Sequence, residues 1–190
     1  MNSPYFGKFR VSQQFKNSAH DGLDLVGVDS KEIHSTVNGI VEVAGWENPA
    51  NYSQGFGQYV RIKKDGTNER YYFGHLSEVK VKVGDQVKIT QVIGIEGSTG
   101  KSTGSHCHYC CRNNASKSEI KDISAISGIP NAIGTYDDGY RPTAPIKTLE
   151  DVAQEVLGGL WGNGAERKTK LIAAGYDAAA IQKIVNKLAR

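Results

Sequence analysis

Short apolar runs alternate with turn signals along the N-terminal part of the chain. Ile40-Val41-Glu42-Val43 follows the turn pair Asn38-Gly39, and Tyr59-Val60-Arg61-Ile62 runs into Lys64-Asp65-Gly66. Arg70-Tyr71-Tyr72-Phe73 comes next, so these two runs read as a hairpin that turns at Asp-Gly. Val79, Val81 and Val83 alternate with lysines before Gly84-Asp85, and a further strand is expected within Gln86 to Ile95. A period of two, carried by β-branched and aromatic residues, predicts an antiparallel β domain without a long helix. The 22 glycines suit that number of tight turns.

From Asn113 to Lys147 the pattern loosens into Ser, Gly, Pro and Asp, closing on Pro142 and Pro145, as a connector would. Beyond it the period becomes helical. Thr148 with Asp151 three residues on resembles a capping box, and Val152, Val156 and Leu160 share one helical face. A second helix is expected over about Glu166 to Ala174, stopping at Gly175. Asp177 can cap a third, whose face is Ile181, Ile184, Val185 and Leu188. The expected architecture is mainly β over residues 1–115, a connector over 116–147, and a three-helix bundle over 148–190. A bundle that small sits near the lower limit of independent stability.

Charge and cysteine usage narrow the function classes. The net charge of +3 and pI near 8.7 suit weak attraction to an anionic surface such as a cell wall. Without a Lys/Arg-rich run or an aromatic RNA-binding pattern, nucleic acid is not an expected partner. No apolar stretch is long enough for a signal peptide or a membrane span. The chain as written is therefore expected to be made in the cytoplasm, and to act as a monomer. Cys107, Cys110 and Cys111 are an odd, crowded set. They are no disulfide framework, and they lack the second pair that a cysteine zinc knuckle needs.

The five histidines carry the candidate chemistry. His20-Asp21-Gly22-Leu23-Asp24 offers an imidazole and a carboxylate four residues apart, and Gly22 between them argues for a turn or irregular strand. His106 and His108 point to the same face if they lie on a strand. His75 follows Phe73-Gly74 at a strand end. His34 has no partner in sequence and reads as structural. Zinc catalysis uses three protein ligands and an open fourth position for water, which one carboxylate and two imidazoles supply. Remaining histidines can then shuttle protons or stabilise an oxyanion. Spacing alone leaves open which of His106 and His108 holds the metal.

These residues resemble the lysostaphin-type zinc metallopeptidases. His20-Asp21-Gly22-Leu23-Asp24 matches that family's His-x-Gly-x-Asp, and Phe73-Gly74-His75-Leu76-Ser77 its aromatic-small-His-Leu-Ser segment. Val83-Gly84-Asp85 with Gln91 to Gly94 matches its Val-Gly-Asp strand pair. Gly97-Ser98-Thr99-Gly100 then leads to His106-Cys107-His108, its His-x-His ending. The match runs in order from about residue 15 to residue 112. It implies a small antiparallel β core with a groove, and one Zn2+ per chain on His20, Asp24 and His108. It implies His75 and His106 as catalytic histidines, and peptidoglycan stem or cross-bridge peptides as substrate. Cys107 stands where the family commonly has Leu, and Tyr109-Cys110 where it has an aromatic-plus-acid pair. Cys110 shares the face of His108, either as a small buried residue or as a soft group near the metal.

The tail, from Thr148 to Arg190, resembles the Cpl-seven repeat, a cell-wall-binding repeat of certain phage lysozymes. The resemblance implies binding of the muropeptide unit. Trp161, Gly162, Asn163 and Arg167 are its candidate contacts, with Trp161 offering an aromatic face and Arg167 a partner for a peptide carboxylate. Trp161 could equally be bundle core, with Gly162 a turn residue. Together the two matches suggest a peptidoglycan hydrolase, made in the cytoplasm and released to the wall as phage or prophage endolysins are, or secreted by another route. One competing reading is a non-catalytic peptidoglycan-binding activator, but such domains lose zinc ligands and this chain keeps them. Another is a lipoyl or biotin carrier. Thr90-Gln91 occupies the hairpin tip where a carrier would need a lysine.

Overall fold

The computed structural model describes residues 1–139, 148–173 and 176–189. The connector's close at Pro142 and Pro145, and the expected helix stop at Ala174-Gly175, lie outside the described residues. The chain forms two compact units, Met1–Tyr140 and Arg141–Arg190.

In the first unit the strands are β1 (Lys8–Gln13), β2 (Gly22–Gly27), β3 (Glu32–His34), β4 (Gly39–Trp46), β5 (Gln58–Lys64), β6 (Glu69–Gly74), β7 (Glu78–Val79), β8 (Gln86–Val87), β9 (Val92–Ile95), β10 (Cys107–Asn113) and β11 (Ile120–Lys121). A short helix α1 (Ile123–Ser127) and strand β12 (Gly134–Asp137) follow. The main sheet is antiparallel and runs β12-β1-β2-β10-β6-β5-β4-β8, with β11 on β10; a small sheet runs β3-β9-β7. The β5–β6 hairpin turns at Lys64-Asp65-Gly66 as its sequence predicts.

Three expectations are corrected. Residues 116–139, read as connector, supply β11, α1 and β12, and β12 pairs with β1 from Lys8↔Asp137 to Val11↔Gly134. Thr90-Gln91, expected as a hairpin tip, is a turn in which Thr90 has φ 75°, but the strands on either side, β8 and β9, lie in different sheets and do not pair. Of the alternating Val79, Val81 and Val83, only Val79 lies in a strand, the short β7, and Val83 is exposed.

Strand periodicity sorts the central strands into two faces. Leu23 and Leu25 of β2, Tyr71 and Phe73 of β6, and Cys107, Tyr109 and Cys111 of β10 enter one continuous core. The intervening residues meet on the opposite face. The register places His108 between Asp24 and Gly74, and Cys110 between Gly22 and Tyr72. This face, too, is largely covered, because Phe56, Tyr59 and Tyr72 pack over Cys110.

The second unit holds α2 (Leu149–Leu157), α3 (Gly164–Ala173) and α4 (Ala178–Leu188). Helices this short are marginal in isolation, so caps and packing must hold them. The Thr148–Asp151 capping box is closed in both directions. Asp177 accepts from the N–H groups of Ala179 and Ala180. Val152, Ala153, Val156, Leu171, Ile181 and Val185 are buried together. Leu160, expected on the α2 face, is exposed because the helix ends at Leu157 and a turn follows Gly158. Leu188 is also exposed. Among the described residues no helix is long and apolar enough to cross a membrane.

Candidate metal centre

Three chain segments bring His20, Asp24 and His108 together, so that one ligand atom of each lies within 4.8 Å of the others. A one-turn 3-10 helix at Asn17–Ala19 delivers His20. Its Nδ1–H donates to the Gln14 carbonyl at 2.7 Å, which leaves Nε2 facing Asp24 Oδ1 at 3.0 Å. His108 Nδ1 lies 2.8 Å from the same oxygen. The His108 ring lies over Gly22, where an added Cβ would fall 2.7 Å from Nε2. That close approach is the physical reason for glycine between His20 and Asp24. The donor set of two imidazoles and one carboxylate fits an ion such as zinc.

Two more histidines stand beside this trio. His75 ends β6 in a left-handed conformation, φ 63°, and its backbone N–H bonds the Phe56 carbonyl at 2.7 Å. Its Nδ1–H donates to the Thr99 carbonyl at 2.7 Å. His106 Nδ1–H donates to the Gly104 carbonyl at 2.8 Å, and its Nε2 is 3.6 Å from Asp24 Oδ1. A carbonyl only accepts, so the proton on each ring sits at Nδ1 and Nε2 is the basic nitrogen. The two ring centres are 4.6 Å apart. Burial, only partly offset by the Thr99 bond, pushes the His75 pKa down to about 4, so that the ring is neutral near pH 7.

The carboxylates are fixed in their charged form. Burial disfavours ionised Asp24, but the close contacts with His108 and His20 outweigh it and hold the group below the usual carboxylate range. Asp21 behaves alike, through bonds from His108 and Arg112. For His108, burial opposes protonation, yet bonds to Asp21 and Asp24 raise its pKa above the ordinary histidine value.

The three cysteines are free and buried. Burial pushes all three thiols up, Cys111 to about 12. Asp21, His108 and Cys110 also lie within metal-ligating reach of one another. There, however, Arg112 already binds the carboxylate. His34 is buried, bonded to the Pro4 carbonyl and stacked on Phe6, as a structural histidine is.

Several supporting residues escape a reading of sequence. Thr99 holds His75 by its carbonyl, while its hydroxyl bonds the Leu76 carbonyl and the Gln58 N–H. Gly57 and Gly100 let the two loops beside His75 touch, since a Cβ on Gly100 would fall 2.2 Å from Gly57 N. Glu96 is a buried hub that accepts from Tyr5, the Gly27 N–H, Lys31 and Ser105, the residue before His106. Its partners lie far away in sequence, and no local pattern marks it.

In the helical unit, Trp161 is half-buried against the bundle, edge-on to Tyr176, with its Nε1–H donating to Glu155 at 3.0 Å. Arg167 donates to the Gly162 carbonyl at 2.9 Å, to Asn163 at 2.9 Å and to Gln182 at 3.4 Å. Gly162 has φ 73°. Trp161, Gly162 and Asn163 therefore form a loop braced by Arg167 from α3.

The sequence matches Peptidase family M23 over residues 18–120, more than half of the chain, and the chain belongs to that family. Residues 150–189 match the CW_7 repeat. Lysostaphin from Staphylococcus simulans is 43% identical over 93 residues, covering 47% of this chain and 17% of lysostaphin. The peptidoglycan DD-endopeptidase ShyC of Vibrio cholerae is 38% identical over 99 residues, covering 52% of this chain and 21% of ShyC. The lysozyme of Streptococcus phage Cp-7 is 46% identical over 52 residues, 27% of this chain and 15% of that lysozyme. The solved structure of lysostaphin superposes with a TM-score of 0.54 at 30% identity, covering 65% of this chain and 49% of that one. The matched region is thus under a quarter of the length of each of these three curated relatives.

Proposed function

We propose that the chain is a zinc endopeptidase that cleaves a peptide bond in the stem or cross-bridge peptides of bacterial peptidoglycan. In this reading, residues 148–190 anchor it to the wall. The carrying observation is the convergence of His20, Asp24 and His108 on one point, with His75 and His106 beside it. A zinc ion in such a site supplies Lewis acidity, polarising a carbonyl and making water acidic enough to attack near neutral pH. His20 Nε2, Asp24 Oδ1 and His108 Nδ1 are the atoms that would hold it. His75 and His106, each with Nδ1–H tied to a backbone carbonyl, keep Nε2 to take a proton from water and return it to the leaving amide nitrogen. The names of the relatives, a peptidoglycan endopeptidase among them, support the wall as substrate. The CW_7 match supports an anchoring role for the tail, with the Trp161–Arg167 loop as its contact surface.

A non-catalytic binding protein is disfavoured, because the whole donor set and both flanking histidines are present and assembled. Mass spectrometry of fragments released from purified walls tests the proposal. New amino termini within stem or bridge peptides, absent with chelator, are the expected result. Release of intact, uncut peptides would overturn it.

A further inference from the structure

His108 has two ring nitrogens, and each faces a different aspartate. Nδ1 turns to Asp24 Oδ1 at 2.8 Å, the side on which His20 converges. Nε2 turns away from that point and reaches Asp21 Oδ1 at 3.2 Å. Asp21 divides its oxygens in turn. Oδ2 accepts from Arg112 Nε at 2.7 Å and also from Arg112 Nη2, so Oδ1 is left for His108. Arg112 is itself fixed, buried with its guanidinium 4.8 Å from the Tyr72 ring centre and 5.3 Å from that of Phe56. A chain of contacts therefore runs from two aromatic rings through Arg112 and Asp21 to the far side of one candidate metal ligand.

The chemistry gives this chain of contacts a purpose. A ligating imidazole can bind a metal through one nitrogen only if the proton sits on the other. A half-turn of the ring would replace both nitrogens by carbons at the two acceptors. An acceptor on the far nitrogen decides both the tautomer and the ring orientation, and an ionised one also makes the ligand more basic. Cys110, the next residue on the same face, is a buried thiol and a weak acceptor. Asp21 lies beyond Nε2, on the far side of the ring from Nδ1, and Arg112 restrains it there. It can support the ligand without taking a coordination position of its own.

We propose that Asp21, braced by Arg112, is a positioning residue for the metal centre: it accepts the Nε2–H of His108 and so presents Nδ1 to the ion. This rests on the reading of His108 as a ligand. Loss of such a supporting acceptor typically costs 10–100-fold in metal affinity.

The test is zinc affinity, measured by chelator competition on the full chain. Asp21→Leu is expected to weaken binding by about 10–100-fold. Asp21→Asn, which still accepts from Nε2–H, should keep affinity nearer to the parent. A role limited to neutralising Arg112 would make these two variants equal, and that result would overturn the proposal. Asp21→Leu leaves a buried guanidinium unpaired and so endangers folding. The double variant Asp21→Leu with Arg112→Met removes that burden. It should fold with near-parental thermal stability and still bind zinc weakly, and parental affinity in it would overturn the proposal. His108→Ala separates the underlying reading. If it abolishes zinc binding while both Asp21 variants bind normally, only the positioning role fails. If it binds zinc normally, the ligand assignment itself fails.

Discussion

The candidate metal-site face of the β unit and the Trp161–Arg167 segment of the helical unit are built on opposite principles. The first is assembled from distant segments: His108 meets Asp24 and Asp21, Thr99 holds His75, and Glu96 ties Ser105 to Tyr5. Its side chains are mostly buried and each has a specific partner. The second is local. Arg167 bonds Gly162 and Asn163 within five residues, and Trp161 bonds Glu155 within six. Chemistry on a bond needs atoms held to fractions of an ångström, which long-range packing supplies. Binding a repetitive polymer can rest on a small preformed loop, with affinity gained by tethering.

The largest expected effect falls on the rigid region. His75→Ala and His106→Ala should each lower wall hydrolysis by about 10²–10⁴-fold, as expected for a lost general acid or base. Both should keep the metal, which elemental analysis would check. Loss of metal in His106→Ala would mean that the two strand histidines have exchanged roles, and the comparison would have to be redrawn.

Next comes Glu96→Ala, which takes the acceptor from the Gly27 N–H and leaves the Tyr5 hydroxyl and Lys31 with only the Leu25 and Gly27 carbonyls. The Lys31 side chain is half exposed, so the loss is that of hydrogen bonds to a buried carboxylate, about 1.5–3 kcal/mol, to be read by chemical denaturation. The sign of its pH dependence follows from its environment. Burial opposes ionisation of Glu96, but bonds from Lys31, Ser105, Tyr5 and the Gly27 N–H lower its pKa in the fold. Its stabilisation is then fully present above the unfolded value near ~4.3 and is lost as pH falls through the lower folded value. The gap between parent and variant should close in acid. A gap independent of pH would show that packing, rather than charge, is what the variant loses.

Smaller effects belong to the local region. Removing residues 148–190 should reduce retention on insoluble walls, by less than the 10²–10⁴-fold that strong bivalency reaches, while sparing a small soluble peptide substrate. Equal retention in a pull-down would make the tail a structural appendage. Arg167→Ala should weaken retention as well, in part by loosening the loop that it braces. The smallest effect is expected for Asp177→Ala, about 1 kcal/mol from the lost N-cap of α4, seen as lower helix content on heating.

The same contrast explains what was legible in the sequence. His20, Asp24, His106 and His108 could be singled out because strand and turn spacing puts chemically matched residues on one face within a few positions. Asp21 and Thr99 fall inside recognisable motifs, but their roles, like those of Arg112 and Glu96, could not be read, since their partners are brought near only by the fold. Strand β12 was hidden for a related reason: Thr135 and Tyr136 favour a strand, but between Gly134 and Asp137 the run is too short to show a period, and pairing with β1 makes it one. In the helical unit, both Thr148 and Asp177 announced their caps, which are local events. Leu160 was misplaced because a helical period was carried through Gly158-Gly159, where the backbone turns.

The central claim is that His20, Asp24 and His108 form one metal site, distinct in role from His75 and His106. Zinc content of the parent and the five single alanine variants, measured by elemental analysis after equal exposure to zinc and removal of loosely bound metal, tests it most directly. One zinc per chain is expected in the parent, His75→Ala and His106→Ala, and little or none in His20→Ala, Asp24→Ala and His108→Ala. Full occupancy in His108→Ala, or loss of zinc from all five alike, would contradict it.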